Sequence, residues 1–210
     1  MTERQSFANA PDMQLDQILE YWFGSAQPED TQALERKTLW FTKSEATDRE
    51  MRERFGPWVE RALAGELDAW AATPRGRLGL LLLLDQFTRN IYRATPRSFA
   101  GDARALALAL EGMALGHDRQ LPLVTRIFCY LPLEHAEDLS LQERSVAAFA
   151  ALAEQATPET RDFLEGTLDY AHKHREVIAD YGRFPHRNAI LGRESTAKEK
   201  EYLAQPGAGF

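Results

Sequence analysis

Apolar positions recur along this chain at helical spacing, and no window alternates apolar and polar residues as a half-buried strand would. The first periodic run begins near Asp12, sets Leu15, Ile18, Leu19 and Trp22 on one stripe and stops at Gly24. A second runs through Leu34 toward Trp40-Phe41. A third starts after Thr47, is interrupted at Gly56-Pro57 and resumes through Val59, Ala62 and Leu63 to Gly65, with Leu67 and Trp70 packing beyond. Thr73-Pro74-Arg75-Gly76 reads as a turn, and the leucine run after it opens a helix toward Asn90. Thr95-Pro96 reads as an N-cap with proline at the first helical position, starting a helix that carries Phe99, Ala103, Leu106, Leu110 and Met113 to Gly116.

Pro122 to Tyr130 is a further helix, broken or kinked at Pro132. Ser140-x-x-Glu143 has the capping-box pattern before Val146, Phe149 and Leu152. Thr157-Pro158 starts the last long helix, which ends around Tyr181-Gly182, and Thr196-x-x-Glu199 caps a short terminal one. The pattern predicts an all-α single domain, 1–210, of about eight or nine helices packed as antiparallel hairpins, with 1–10 and 205–210 frayed. Trp-Phe recurs at 22–23 and 40–41, but no fixed-period repeat is visible.

Composition supports the helical reading: 27 Leu stand against 9 Val plus Ile, and strands favour the β-branched residues. Lys plus Arg is 25 and Asp plus Glu is 32, a net charge of −7. That balance argues against a nucleic-acid partner, whose phosphates must be neutralised. One cysteine excludes a disulfide framework and a thiolate zinc site. The longest apolar run, Leu78 to Leu84, is far shorter than the ~20 residues that span a bilayer, so no membrane association is expected. With no secretory pattern at the N-terminus, the expected location is cytoplasmic.

Three segments carry candidate chemistry. In Arg77 to Arg93, a helix apolar on every side for two turns delivers Asp85, Gln86, Arg89 and Asn90 at its end. Asp85 and Arg89 share a face, and Arg93 follows on the next turn. They form either an internal ion pair or the wall of a pocket. In Tyr130 to Asp138, Glu134 and His135 stand beside a proline with Glu137 and Asp138. This cluster is either an acid–base pair or a polar helix end. Glu134 and His135 are adjacent and diverge by about 100° on a helix, so a metal site is not expected.

The third segment runs from Tyr170 to Arg193. His174 falls on the inward stripe with Tyr170, Val177 and Tyr181, whereas His172 falls on a solvated face. Beyond Gly182, the donors Arg183, His186, Arg187 and Asn188 alternate with Phe184, Pro185, Ile190 and Leu191, which predicts a loop packed onto the body. Residues 75–97 carry a local +4 and residues 171–193 a local +3, a pattern suited to a small anion. The counter-reading is that arginine is the default cation, at 20 Arg to 5 Lys. Cys129, among Ile127, Phe128 and Tyr130, reads as inert packing. No motif for a cofactor or nucleophilic triad is present.

Leu-Leu-Asp-Gln-Phe-x-Arg-Asn-Ile-Tyr-Arg, Tyr-Leu-Pro-Leu-Glu-His-x-Glu and Gly-Arg-Phe-Pro-His-Arg-Asn-x-Ile-Leu-Gly-Arg closely resemble the bacterial family known as domain of unknown function 924. The likeness runs from Ile18-Leu-Glu-Tyr-Trp-Phe-Gly24 to Ser195-Thr196, with Thr88 standing where the family pattern has proline. The resemblance implies an all-helical, tetratricopeptide-repeat-like fold. It implies no activity and no site residues.

The leading expectation is one pocket formed by Asp85, Gln86, Arg89, Asn90, Glu134, His135, His174, Arg183, His186, Arg187 and Asn188. It would take a small anionic or polar ligand, with His186, His174 or Glu134 as acid–base groups and no metal or cofactor. The rival is a protein-interaction module whose polar motifs are structural locks.

Overall fold

The computed structural model describes residues 10–209, with side chains from Met13 onward. The fraying expected at 1–10 thus falls almost wholly outside the described residues. Every regular element among them is helical. In order they are α1 (Ala10–Phe23), α2 (Asp30–Leu34), α3 (Lys37–Phe41), α4 (Glu45–Ala64), α5 (Pro74–Leu81), α6 (Thr88–Ile91), α7 (Asp102–Leu115), α8 (Leu123–Glu134), α9 (Leu139–Ala153), α10 (Arg161–Tyr181) and α11 (Ala197–Leu203). A π-helical turn, Leu82–Phe87, joins α5 to α6 without a break. No described helix is long and apolar enough to cross a membrane.

Several helix boundaries differ from the sequence pattern, each for a local reason. The second predicted helix is two short ones, α2 and α3. Thr73-Pro74 is not a turn but a start: the Thr73 side chain accepts from the Gly76 amide, and Pro74 occupies the first helical position, where a missing N–H costs nothing. The helix α4 begins earlier, capped by Ser44, and runs through Gly56-Pro57. Gly56 has no Cβ to clash with the proline ring, which relaxes the usual restriction on the residue before proline. The helix α8 likewise passes through Pro132.

Thr95-Pro96 opens only a 3-10 turn, Pro96–Phe99, and α7 starts afresh at Asp102. For α9 the cap is Asp138, whose Oδ1 accepts from the Leu141 amide at 3.0 Å and from the Ser140 hydroxyl at 2.6 Å. Ser140 serves the cap rather than being it. The helix α10 starts at Arg161 because Thr160 Oγ1 accepts from the Thr157 amide at 2.9 Å and closes a separate turn. Thr196 and Glu199 form the expected capping box.

Leu78 and Leu80 through Leu84 are all buried, as a helix apolar on every side requires. Around them lie Trp22, Phe23, Phe87 and Phe128, with Phe87 and Phe128 each within 6 Å of Trp22. Trp40 Nε1–H donates to the Trp22 carbonyl at 2.8 Å, satisfying an indole in the core. The helices α8, α9 and α10 follow one another through short connections and pack side by side. A smaller cluster of Val177, Ile178 and Phe184, with Tyr181 and Tyr202 against it, pins the segment after α10. The polar end of the central helix therefore meets the α8–α9 corner and the loop after α10.

Candidate functional site

Asp85 and Gln86 stand on the π-helical turn. Such turns widen a helix by one residue and free backbone groups that other groups must satisfy. Here Thr88 Oγ1 donates to the Leu84 carbonyl at 2.8 Å, and Arg89 Nη1 donates to the Asp85 carbonyl at 2.8 Å. The turn directs the Asp85 carboxylate into the protein, where it is 1% exposed.

Asp85 is well partnered. Oδ1 stands 2.7 Å from His135 Nδ1 and 3.0 Å from Arg89 Nη1, and Oδ2 accepts from Gln86 Nε2 at 2.6 Å. Burial alone would raise this carboxyl, but Arg89, His135 and Gln86 outweigh it and hold it well below the usual carboxylate range. The ionised carboxylate only accepts, so His135 carries its proton on Nδ1 and keeps a lone pair on Nε2. Burial and Arg89 depress the imidazole's pKa, partly offset by Asp85. Its side chain is 14% exposed, and Nε2 makes no hydrogen bond among the described residues.

Arg89 continues the network as a fork onto Asp102, at 2.8 and 3.0 Å. Asp102 opens α7. It reaches Arg89 because Gly101 presses against the π turn: a Cβ on Gly101 would stand 2.1 Å from the Leu84 carbonyl oxygen. On the other side of Asp102 lies Arg187, whose Nη1 is 3.7 Å from Oδ2, too long for a hydrogen bond. The Arg187 guanidinium rests over the rings of Phe184, 4.4 Å from the centroid, and Phe99, 4.8 Å. Its side chain is 8% exposed, and Nε is buried without a hydrogen-bond partner. Burial, with Arg89 nearby, pushes the Arg187 pKa down to about 10.

Glu134 is buried beside the same cluster. Desolvation, and to a lesser degree the Asp85 charge, push its pKa up to about 8, so it is mostly protonated at neutral pH. His174 Nδ1 faces the Tyr170 carbonyl oxygen at 2.9 Å and Glu134 Oε1 at 3.3 Å. A carbonyl only accepts, so Nδ1 carries the proton and is engaged. Burial holds the His174 pKa down to about 3 and that of His186 to about 4. The rings form a chain, His135 to His174 at 6.3 Å, His174 to Phe184 at 5.5 Å and Phe184 to His186 at 5.6 Å.

Buried Gln142 and the more exposed Glu137 support the site. Gln142 Nε2 donates to the carbonyls of Glu134 and Ala136 at 2.6 and 2.8 Å and fixes the end of α8. Glu137 accepts the Phe184 amide at 2.8 Å and both Arg193 Nη groups at 2.6 and 2.9 Å, strapping the loop over the site. Of the predicted set, Asp85, Gln86, Arg89, Glu134, His135, His174, His186 and Arg187 share this region. Three stand in other networks. Asn90 donates to Asp48, which also pairs with Arg93, so Arg93 does not follow Arg89 onto Asp85. Arg183 forks onto Glu199, and Asn188 joins Ser195 and Arg193. Sequence reasoning left out Asp102, Phe99 and Phe184 as site residues, and it noted Glu137 without giving it a role.

The candidate groups fall inside a known family. A family model described as "Bacterial protein of unknown function (DUF924)" matches residues 18–207. The chain belongs to that family. A solved structure within reach of it is a protein of unknown function from Agrobacterium tumefaciens. It shares 33% identity with a TM-score of 0.78, over 93% of this chain and 99% of that one. No curated protein matches. The family and this relative are both of unknown function.

No group of three or more His, Cys, Asp or Glu among the described residues is placed to hold a metal ion. A separate open groove of about 810 Å³ is lined by Asp68, Arg77, Arg104, Glu111 and His117. Its charges are already matched, Arg104 by Asp68 and Arg77 by Glu111, and Arg77 Nε–H also donates to His117 Nδ1 at 3.3 Å.

Proposed function

We propose that the protein binds a small anionic ligand at Arg187, with the Asp85–His135 pair as its acid–base group, in a bacterial cytoplasmic setting. One observation carries the reading: a guanidinium more than nine-tenths buried whose N–H groups make no hydrogen bond among the described residues. A purely structural buried arginine ties down acceptors, as Arg77 does with the carbonyls of Leu108 and Ala71 at 2.8 Å. Arg187 has five donors, and the carboxylate it pairs with, that of Asp102, stands at 3.7 Å. His135 complements it: Nε2 can take a proton from the ligand, whose electron pair stays behind, while Asp85 stabilises the imidazolium. Glu134, His174 and His186 surround that pair as mostly neutral groups.

The test is a melting series over small anions with the wild type and Arg187→Met, read together with histidine ring ¹⁵N spectra. At least one anion should raise the wild-type melting point and shift the His135 ring signals, and both effects should vanish in the variant. The variant itself should melt no lower than the wild type, because removing an unsatisfied buried charge costs little. Absence of any anion effect sinks the reading. The rival, a helical-hairpin interaction module of tetratricopeptide-repeat type, draws on Phe41, 59% exposed and 6.2 Å from Phe163 beside Lys37. It gains if no anion binds and Arg187→Met melts far below the wild type.

A further inference from the structure

We infer that the anion taken by Arg187 is a planar carboxylate rather than a phosphate or sulfate, an inference that rests on the anion-site reading above. Three features of the guanidinium's surroundings lead there. The Nη1 edge faces Asp102 at 3.7 Å, which leaves the parallel Nε–H and Nη2–H pair as the edge without a protein acceptor among the described residues, with Nε itself buried. That pair matches the two oxygens of a carboxylate side-on. Second, the rings of Phe184 and Phe99 lie over the guanidinium at 4.4 and 4.8 Å.

Those rings leave an approach in the guanidinium plane. A carboxylate lies flat in it. A tetrahedral oxyanion puts at least one oxygen out of plane, toward the negative face of an aromatic ring, where the ring quadrupole repels it. Third, Arg89 already pairs with both Asp85 and Asp102, whereas Arg187 stands 3.7 Å from Asp102 without a hydrogen bond. Arg187 thus offers one positive charge, which a monoanion neutralises and a dianion exceeds. Lysine would serve as well as arginine for a point-like anion, but only arginine offers the flat fork.

The measurement is binding of formate, acetate and benzoate against inorganic phosphate and sulfate, at matched ionic strength with chloride as reference. It is run by melting shift and calorimetry on the wild type, Arg187→Lys and Arg187→Met. The expected result is that at least one carboxylate binds the wild type and binds Arg187→Lys at least tenfold more weakly. Phosphate and sulfate should shift the melting point no more than chloride does. Circular dichroism of both variants confirms that they are folded. Phosphate or sulfate binding as well as the carboxylates, with loss in Arg187→Met, overturns the carboxylate assignment and leaves the anion site standing. Full carboxylate binding by Arg187→Lys overturns the side-on fork and the assignment with it. If no anion binds the wild type, both readings fall.

Discussion

Glu134 and His174 are neighbours that burial pushes in opposite directions, and each is kept neutral at physiological pH. Their effects on stability have opposite signs. A carboxyl whose folded pKa is raised from 4.5 to about 8 contributes stability that is complete below pH 4.5 and is lost as pH rises toward 8. An imidazole lowered from 6.5 to about 3 contributes stability that is present above pH 6.5 and is lost as pH falls. Replacing Glu134 by Gln keeps the shape and removes the first dependence only. Urea unfolding at pH 5 and at pH 8.5 should show the stability of Glu134→Gln relative to wild type rising by more than about 1.4 kcal/mol, the value of one pKa unit. A constant difference across that range would mean that Glu134 is ionised in the folded protein. Asp85 behaves the other way. Three partners hold its charge, so it is part of the frame, whereas Arg187 is buried without comparable compensation.

Among the elements, the π turn between α5 and α6 sets the geometry, and the close approach of α7 completes it. The buried leucine run and its polar end were legible from the pattern, since Leu80 to Leu84 admit no solvent-facing side. The widened turn was not. A π turn depends on carbonyls being satisfied by Thr88 and Arg89, and helical periodicity does not record which carbonyls are freed. Gly101 is the corresponding contact on the partner element. Its Cβ would meet the Leu84 carbonyl at 2.1 Å, and that atom belongs to backbone and cannot rotate away. Gly101→Ala should therefore force α7 from the π turn and draw Asp102 off Arg89. An overpacking cost of about 1–3 kcal/mol is expected, a fall of roughly 2–12 °C in melting temperature for a chain of this size, with anion binding weakened as Arg187 loses its partner's position. An unchanged melting point would show that α7 and the turn can slide apart freely.

Across the whole molecule, the site is assembled from segments far apart in the chain, Asp85 and His135 by 50 positions and Glu137 and Phe184 by 47, and this long-range pairing decided what could be read beforehand. Helix class and the three polar segments were visible because periodicity and composition are local. That Asn90 would turn to Asp48, and Arg183 to Glu199, was not, because both choices depend on which helix lies opposite. Glu137 shows the same limit. In the sequence it is one acid in a cluster of four; in the fold it accepts the Phe184 amide and both Arg193 Nη groups and fastens the loop that carries His186 and Arg187. Desolvation alone would raise the Glu137 carboxyl, but Arg193 and the Phe184 amide outweigh it and hold the carboxyl below its usual range. Removing the carboxylate leaves Arg193 without its main acceptor and the Phe184 N–H unbonded. Glu137→Ala should lose about 1–3 kcal/mol locally, so the Phe184 amide should exchange with deuterium roughly 5- to 150-fold faster by that energy, while amides in α5 and α8 keep their protection. Anion affinity should fall in the same variant, because a loop that opens more often presents Arg187 less often in the binding geometry. Unaltered exchange at Phe184 would place the fastening of the loop in the Val177, Ile178 and Phe184 cluster instead, and Glu137 would then be an ordinary surface partner of Arg193.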